Sequence, residues 1–281
     1  MLKKSFLLGQ IAFINTWPIY YGLKPEKCDP EIQIIAMPPS SLNTMLHNKE
    51  IDLSAISAAE YALHFQEYKL IPHLSISSCG EVGSVFWYSR IPFPELHGQK
   101  FLVTEDSLTS VWLSQILFQE MLGISPDFIP GKITMQALSD TDCKAFLSIG
   151  DQALRLQHQD RKSFPYCMDL GKAWYDLTQK PFVFGVWAIR KDSFQESPLL
   201  ARKAVQMLYK SKEQGMQSLD ILSHKAAQTL NLPYDACLYY FRHLKYDLDP
   251  LYIEGMKLFF HYLHEDALIP QQVEIEFLTL I

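Results

Sequence analysis

The residues of this 281-residue chain best suited to chemistry are small and mostly uncharged. Asn15, Ser40, Ser57, Ser107, Thr109, Ser110 and Asp151 each fall where an apolar run gives way to a helical pattern. At such turns hydroxyls and unpaired backbone N–H groups stand at helix N-termini, which suits them to carboxylates or phosphates. The same residue types cap helices everywhere, so each position alone reads as a cap. Taken together they point to a polar ligand site. Gly80-Glu81-Val82-Gly83-Ser84 reads as a turn before a strand, with a slight likeness to a phosphate loop.

Sharper motifs are missing. The sequence contains no GxxxxGK[ST], no GxGxxG, no GxSxG and no HExxH. His261 and His264 stand three apart on a helical pattern with no further ligand at useful spacing, which predicts a solvated face and no metal. His47, His64, His73, His97, His158, His224 and His243 show no pairing in sequence. The cysteines are Cys28, Cys79, Cys143, Cys167 and Cys237, an odd number without a CxxC pair. They are expected to be buried, reduced thiols. The net charge of −6 argues against nucleic acid as a partner, because phosphate binding needs clustered Lys and Arg. Lys3 and Lys4 precede an uncharged run, but Gln10, Asn15 and Thr16 interrupt it, and no small-x-small site comes before Trp17-Pro18. That run is expected to be a first buried strand in a cytoplasmic protein, with no leader and no membrane span.

The elements that must position these residues follow from periodicity. Strands are predicted at Phe6–Phe13, Ile32–Met37, Ile51–Ile56, Val82–Tyr88, Phe101–Thr104, Ala145–Ile149 and Phe182–Ile189. Ser40 or Ser41 would cap a helix with Leu42, Met45 and Leu46 on one face. Ser107 opens another that presents Leu113, Ile116, Leu117 and Met121 and ends at Gly123; Gly150-Asp151 opens a third. Strand–helix alternation favours a parallel α/β sheet, whose ligands bind at the carboxyl ends of the strands. From Asp192 onward three helices are expected, starting near Ser197-Pro198, before Leu219 and at Asp249-Pro250. The extended passages near 82–90 and 182–190 suggest two lobes joined by a double crossover. Trp112, Trp174 and Trp187 are spaced as core or cleft aromatics.

Several segments in order also resemble one known family. Gly9-Gln-Ile-Ala-Phe-Ile-Asn15-Thr-Trp-Pro18 resembles the opening of the MqnA family, the chorismate dehydratases of the futalosine route to menaquinone. So do Pro39-Ser-Ser-Leu42-Asn43 and Glu50-Ile-Asp52-Leu-Ser-Ala-Ile-Ser57-Ala-Ala-Glu60-Tyr61. Gly80–Val85, Ser107–Ser110, Ile149–Leu154, Asp169-Leu-Gly171 with Trp174, and Pro181–Ala188 continue the match to about residue 190.

The resemblance implies an α/β, two-lobe type II periplasmic-binding-protein fold reused as an enzyme, with a helical C-terminal segment. Lobe 1 is expected to comprise 1–88 and 191–281, lobe 2 to comprise 89–190, with the ligand cleft between them. The implied activity is loss of water from chorismate to give 3-[(1-carboxyvinyl)oxy]benzoate, with no metal or organic cofactor and a small-molecule partner only. Asn15 and Ser84 are the implied catalytic residues. Ser40, Ser57, Ser107, Thr109, Ser110 and Asp151 are the expected substrate-binding set. No motif-matched His, Glu or Lys serves as the base, so a carboxylate of the substrate is expected to take the proton. The alternatives are a non-catalytic small-anion-binding protein of the same fold and the related 1,4-dihydroxy-6-naphthoate synthase.

Overall fold

The structure, a computed structural model, describes residues 5–23, 29–159 and 162–279. Cys28 lies outside the described residues. In chain order the first elements are β1 (Phe6–Ile11), α1 (Trp17–Tyr20), β2 (Ile32–Met37), α2 (Pro39–His47), β3 (Leu53–Ser57), α3 (Ala58–His64) and β4 (Tyr68–Ser78). Then come β5 (Val85–Ser89), β6 (Lys100–Val103), α4 (Leu108–Leu117), β7 (Asp127–Pro130), α5 (Met135–Asp140), β8 (Ala145–Ile149), α6 (Gly150–Gln157), β9 (Tyr166–Asp169) and α7 (Leu170–Thr178). β10 (Phe182–Arg190) leads into α8 (Lys191–Glu196), α9 (Pro198–Gln217), α10 (Leu219–Leu230), α11 (Tyr234–His243) and α12 (Pro250–Glu265).

Two five-stranded sheets result, ordered β2-β1-β3-β10-β4 and β7-β6-β8-β5-β9. β1 pairs parallel with β2 and β3, as alternation of strand and helix predicts. β10 runs antiparallel between β3 and β4, and β5 runs antiparallel between β8 and β9, so each sheet is mixed rather than parallel throughout. The chain crosses between sheets twice, from β4 to β5 and from β9 through α7 to β10.

These pairings correct the expected lobe boundaries. The expected boundaries place residues 85–88 in the first lobe and 182–190 in the second, whereas β5 is a central strand of the second sheet and β10 of the first. Each crossover precedes its extended strand instead of following it. Both strands are flanked by neighbours on either edge, which is why their sequences are almost unbroken apolar runs. β4, which was not anticipated, is an edge strand and so tolerates Pro72.

Ser107 caps α4 as predicted, whereas Pro38 rather than Ser40 or Ser41 stands at the N-cap of α2 and Ile149 precedes α6. Leu42 and Leu46 of α2, and Leu113, Ile116 and Leu117 of α4, are fully buried. α4 continues into one π-helical turn and stops at Gly123, whose φ of 63° needs no Cβ to be accommodated. The tail carries four long helices rather than three, α11 being the addition. Met256, Phe259, Phe260 and Leu263 of α12 are buried, and Gly215 and Gly255 let α9 and α12 close on the backbone of Pro18 and Pro181. Trp87, Trp174 and Trp187 are fully buried core residues; Trp112 is half-buried. Cys143 and Cys237 are buried as expected, whereas Cys79 is exposed at the first crossover. Among the described residues no helix is long and apolar enough to cross a membrane.

Candidate active site

A cleft with a cavity volume of about 90 Å³ opens between the two sheets. Its polar lining is Asn15, Thr16, Ser57, Ser84, Ser107 and Ser110, with Asp106 at the edge. Its apolar walls include Ile11, Phe13 and Phe184. Among the described residues no Lys, Arg, His, Cys or Tyr lines it, so an anion held by them is held by hydroxyls, amides and the positive ends of helices. The starts of α2, α3, α4 and α6 contribute Pro39, Ser57, Ser107 and Gly150 to the lining.

Asn15 sits in a single 3-10 turn after β1. Thr16 pins that turn by donating to the carbonyls of Ile11 and Phe13, each at 3.0 Å. From the other lobe, Asp151 Oδ1 accepts the Ile14 N–H at 3.2 Å. Gly150, at φ +59°, lies against the Phe13 ring where a side chain would be strained. The turn is thus fixed from both sides, yet Asn15 Oδ1 is buried and has no hydrogen-bond partner among the described residues. An unpaired buried acceptor costs about 1–3 kcal/mol. Such a cost is tolerated where a ligand supplies the missing donor.

Ser84 stands between the turn 80–83 and β5. Asp169, the N-cap of α7, holds that turn. Its carboxylate accepts from Val82 N–H at 3.0 Å, Gly83 N–H at 2.7 Å and Lys172 N–H at 2.9 Å. The backbone donors that made this segment look like a phosphate loop are therefore already taken by the protein itself. Burial raises the Asp169 carboxyl above its ordinary range, and these three N–H groups pull it back. Gly171 is required beside it, since a Cβ there would lie 2.6 Å from both the Gly80 carbonyl and Ser78 Oγ. Ser84 itself is buried, and its Oγ accepts from the Tyr240 hydroxyl at 2.9 Å. Burial pushes the Tyr240 phenol far above its usual value, so it stays a donor. Ser84 accordingly keeps its own proton for a second acceptor.

Ser57 and Ser107 cap α3 and α4, accepting from Glu60 N–H and Ser110 N–H at 3.2 Å each. Ser107 also donates to Ser110 Oγ at 3.0 Å. Both roles, cap and lining residue, are thus filled by the same side chains.

A family model for menaquinone biosynthesis matches residues 6–265. The chain belongs to the menaquinone biosynthesis family. It is 26% identical over 269 residues to a protein of Thermus thermophilus named chorismate dehydratase, covering 91% of this chain and 94% of that one. Its fold is that of the periplasmic binding proteins. Protein AF1704 of Archaeoglobus fulgidus superposes with a TM-score of 0.74 at 18% identity, over 96% of this chain and all of that one. The periplasmic aliphatic sulphonate binding protein SsuA of Escherichia coli gives 0.64 at 14% identity, over 97% and 96% of the two chains.

Within this family member three expected ligand residues turn out to be placed elsewhere. Ser40 does not line the cleft; α2 begins one residue earlier, at Pro39, and Pro38 rather than a serine stands at its N-cap. Thr109 is buried behind the lining, where its Oγ1 accepts the Ala59 N–H at 2.8 Å across the lobe boundary. Asp151 is turned toward Ile14 and holds the Asn15 turn rather than facing the ligand. Conversely, Tyr240 and Asp106 were not anticipated. Asp106 directly precedes the expected Ser107–Ser110 turn, so its position next to that turn was a usable signal. Tyr240 had no comparable signal, because α11 lies some 150 residues from Ser84 in sequence.

Proposed function

We propose that the chain is a chorismate dehydratase, a carbon–oxygen lyase that converts chorismate to 3-[(1-carboxyvinyl)oxy]benzoate and water in menaquinone biosynthesis. The observation that carries this proposal is the pairing of Asn15 and Ser84 in one cleft: an unpartnered buried acceptor with a donor backed by Tyr240. Family membership and the named Thermus relative support it. The leaving hydroxyl donates to Asn15 Oδ1 and accepts from Ser84. The substrate's two carboxylates take the hydroxyls of Ser57 and Ser110, the latter backed by donation from Ser107, and the helix starts behind them. Lobe closure excludes water from the reacting ring.

Dehydration removes a ring proton and the neighbouring hydroxyl, and the C–H electron pair completes the aromatic ring. Asp106 is the one titratable side chain among the lining residues. It stands exposed at the rim, so a carboxylate of the bound substrate is assigned as the base. Holding that carboxylate against the proton is a proximity effect, worth roughly 7–11 kcal/mol in the best cases.

The test is incubation of the purified chain with chorismate, following loss of the diene absorbance and appearance of an aromatic product lighter by one water. Asn15→Ala and Ser84→Ala should each cut kcat by about 10²-fold or more, the range for losing one preorganised group at a reacting oxygen. Wild-type turnover in both variants would remove these residues from the mechanism. Tight chorismate binding without turnover would make the chain a binding protein instead. Asp106→Asn should leave turnover largely intact; its loss, together with a vanished pH–rate limb, would transfer the base role to Asp106.

A further inference from the structure

The two histidines that end α2 and α3 were unrelated in sequence and meet in the fold. The rings of His47 and His64 lie with centroids 3.9 Å apart. Glu67, in the turn before β4, reaches both: His47 Nδ1 is 3.8 Å from Glu67 Oε2, and His64 Nδ1 is 3.9 Å from Glu67 Oε1. One donor atom from each of the three lies within 4.8 Å of the others.

We propose that His47, His64 and Glu67 form a binding site for a divalent transition-metal ion of the Zn²⁺ type, with water completing a four-coordinate shell. Zn²⁺ takes His nitrogen and carboxylate oxygen at about 2.0–2.2 Å in a tetrahedron. That geometry brings donors to roughly 3.4 Å of one another, so the three must close by about half an ångström to an ångström and a half. His47 and Glu67 are 44% and 47% exposed and have the freedom to do so. Two imidazoles with one carboxylate select Zn²⁺ and its neighbours over Mg²⁺, which prefers an all-oxygen shell.

The surroundings fit the same assignment. Glu60 Oε1 lies 3.8 Å from His64 Nε2, on the side of the ring away from Glu67. This buried carboxylate accepts from the Tyr68 hydroxyl at 3.3 Å, which fixes it. A metal-bound histidine characteristically gives its other N–H to such a carboxylate, and that contact sets ring orientation and basicity. The nearby cations are already matched: Lys49 and Arg190 with Asp192 at 3.0 and 2.8 Å, Lys191 with Glu276 at 2.6 Å. Glu67 is therefore not consumed by them. The site gathers the carboxyl ends of α2 and α3, where a cation is favoured by the helix dipoles. The opposite ends of these two helices supply Pro39 and Ser57 to the cleft, so the metal site is remote from the proposed chemistry and independent of it.

The experiment is calorimetric titration of ZnCl₂ into the untagged, chelator-treated full chain. One equivalent should bind, and excess Mg²⁺ should not displace it. His47→Ala, and His47→Gln as a second variant at the same exposed position, should weaken binding at least tenfold. Glu60→Gln should weaken it by about 10–100-fold through its contact with His64. Co²⁺ should give visible d–d bands in the wild type that both His47 variants lose. No stoichiometric uptake by the wild type, or uptake unchanged in the His47 variants, would overturn the site.

Discussion

Tyr240 comes from the helical tail and meets Ser84 from behind the cleft lining with a single hydroxyl. Its donation decides which way the Ser84 proton points, so it acts as a positioning residue. Tyr240→Phe removes that donor and leaves the ring packing in place. Stability should fall by about 1 kcal/mol, the usual net worth of one hydrogen bond. Turnover should fall about tenfold with KM little changed, because the proton serves the departing oxygen more than the bound ground state. A KM effect without a kcat effect would instead make Tyr240 a ligand-packing residue. At this scale the sequence disclosed which residue types matter but not which way they face. Asn15, Ser57, Ser84, Ser107 and Ser110 were all recognisable, and all line the cleft. Ser40, Thr109 and Asp151 belong to the same class of residue, but Ser40 falls one position past the start of α2, and Thr109 and Asp151 are engaged by backbone N–H groups of the opposite lobe. Capping and ligand binding use the same atoms, so type and spacing alone do not separate them.

The element that carries Ser84 depends on a close approach between α7 and the 80–83 turn. Gly171→Ala would place a Cβ 2.6 Å from the Gly80 carbonyl and 3.0 Å from Val82 N. Backbone cannot yield as a flexible side chain would, so the turn must shift. The expected cost is about 1–3 kcal/mol of stability, typical of overpacking, together with a loss of turnover. The lowered melting temperature is read by calorimetry and the rate on chorismate. An unchanged rate in a destabilised protein would detach the turn's position from the chemistry. Elements with strong period or strong caps were legible: β1, β3, α4, β8 and β10 lie within a few residues of where apolar runs predicted them. β4 was hidden by Pro72 and by His73, which adopts φ 57° in the middle of the strand. β7 and β9 are four residues each, too short to show a period. α11 was masked because its buried face is only Cys237, Tyr240 and Phe241, set among polar and exposed residues.

Across the whole molecule, the two sheets are held together at the cleft by bonds between lobes. Thr109 accepts from Ala59, and Asp151 accepts from Ile14. The double crossover was visible in sequence, but the membership of β5 and β10 was not, because a strand's sheet is set by its edge partners and not by its own residues. The Asp151 tether carries a pH signature. Burial raises its carboxyl above the ordinary 3.8, against the opposing pull of the Ile14 N–H and Arg155. A group whose folded pKa is raised contributes stability that is fully present below the unfolded value and is lost as pH rises through the folded one. Asp151→Asn keeps an oxygen for the Ile14 N–H and removes the buried charge. The variant should therefore gain on the wild type as pH rises from about 4 to about 7, most steeply just above the ordinary carboxyl range, and the two should converge in acid. Melting temperatures of both proteins across that range measure the difference. A gap that stays flat, or that widens in acid, would mean that Asp151 is stabilised as the anion in the folded protein and that the tether is a charge-assisted bond.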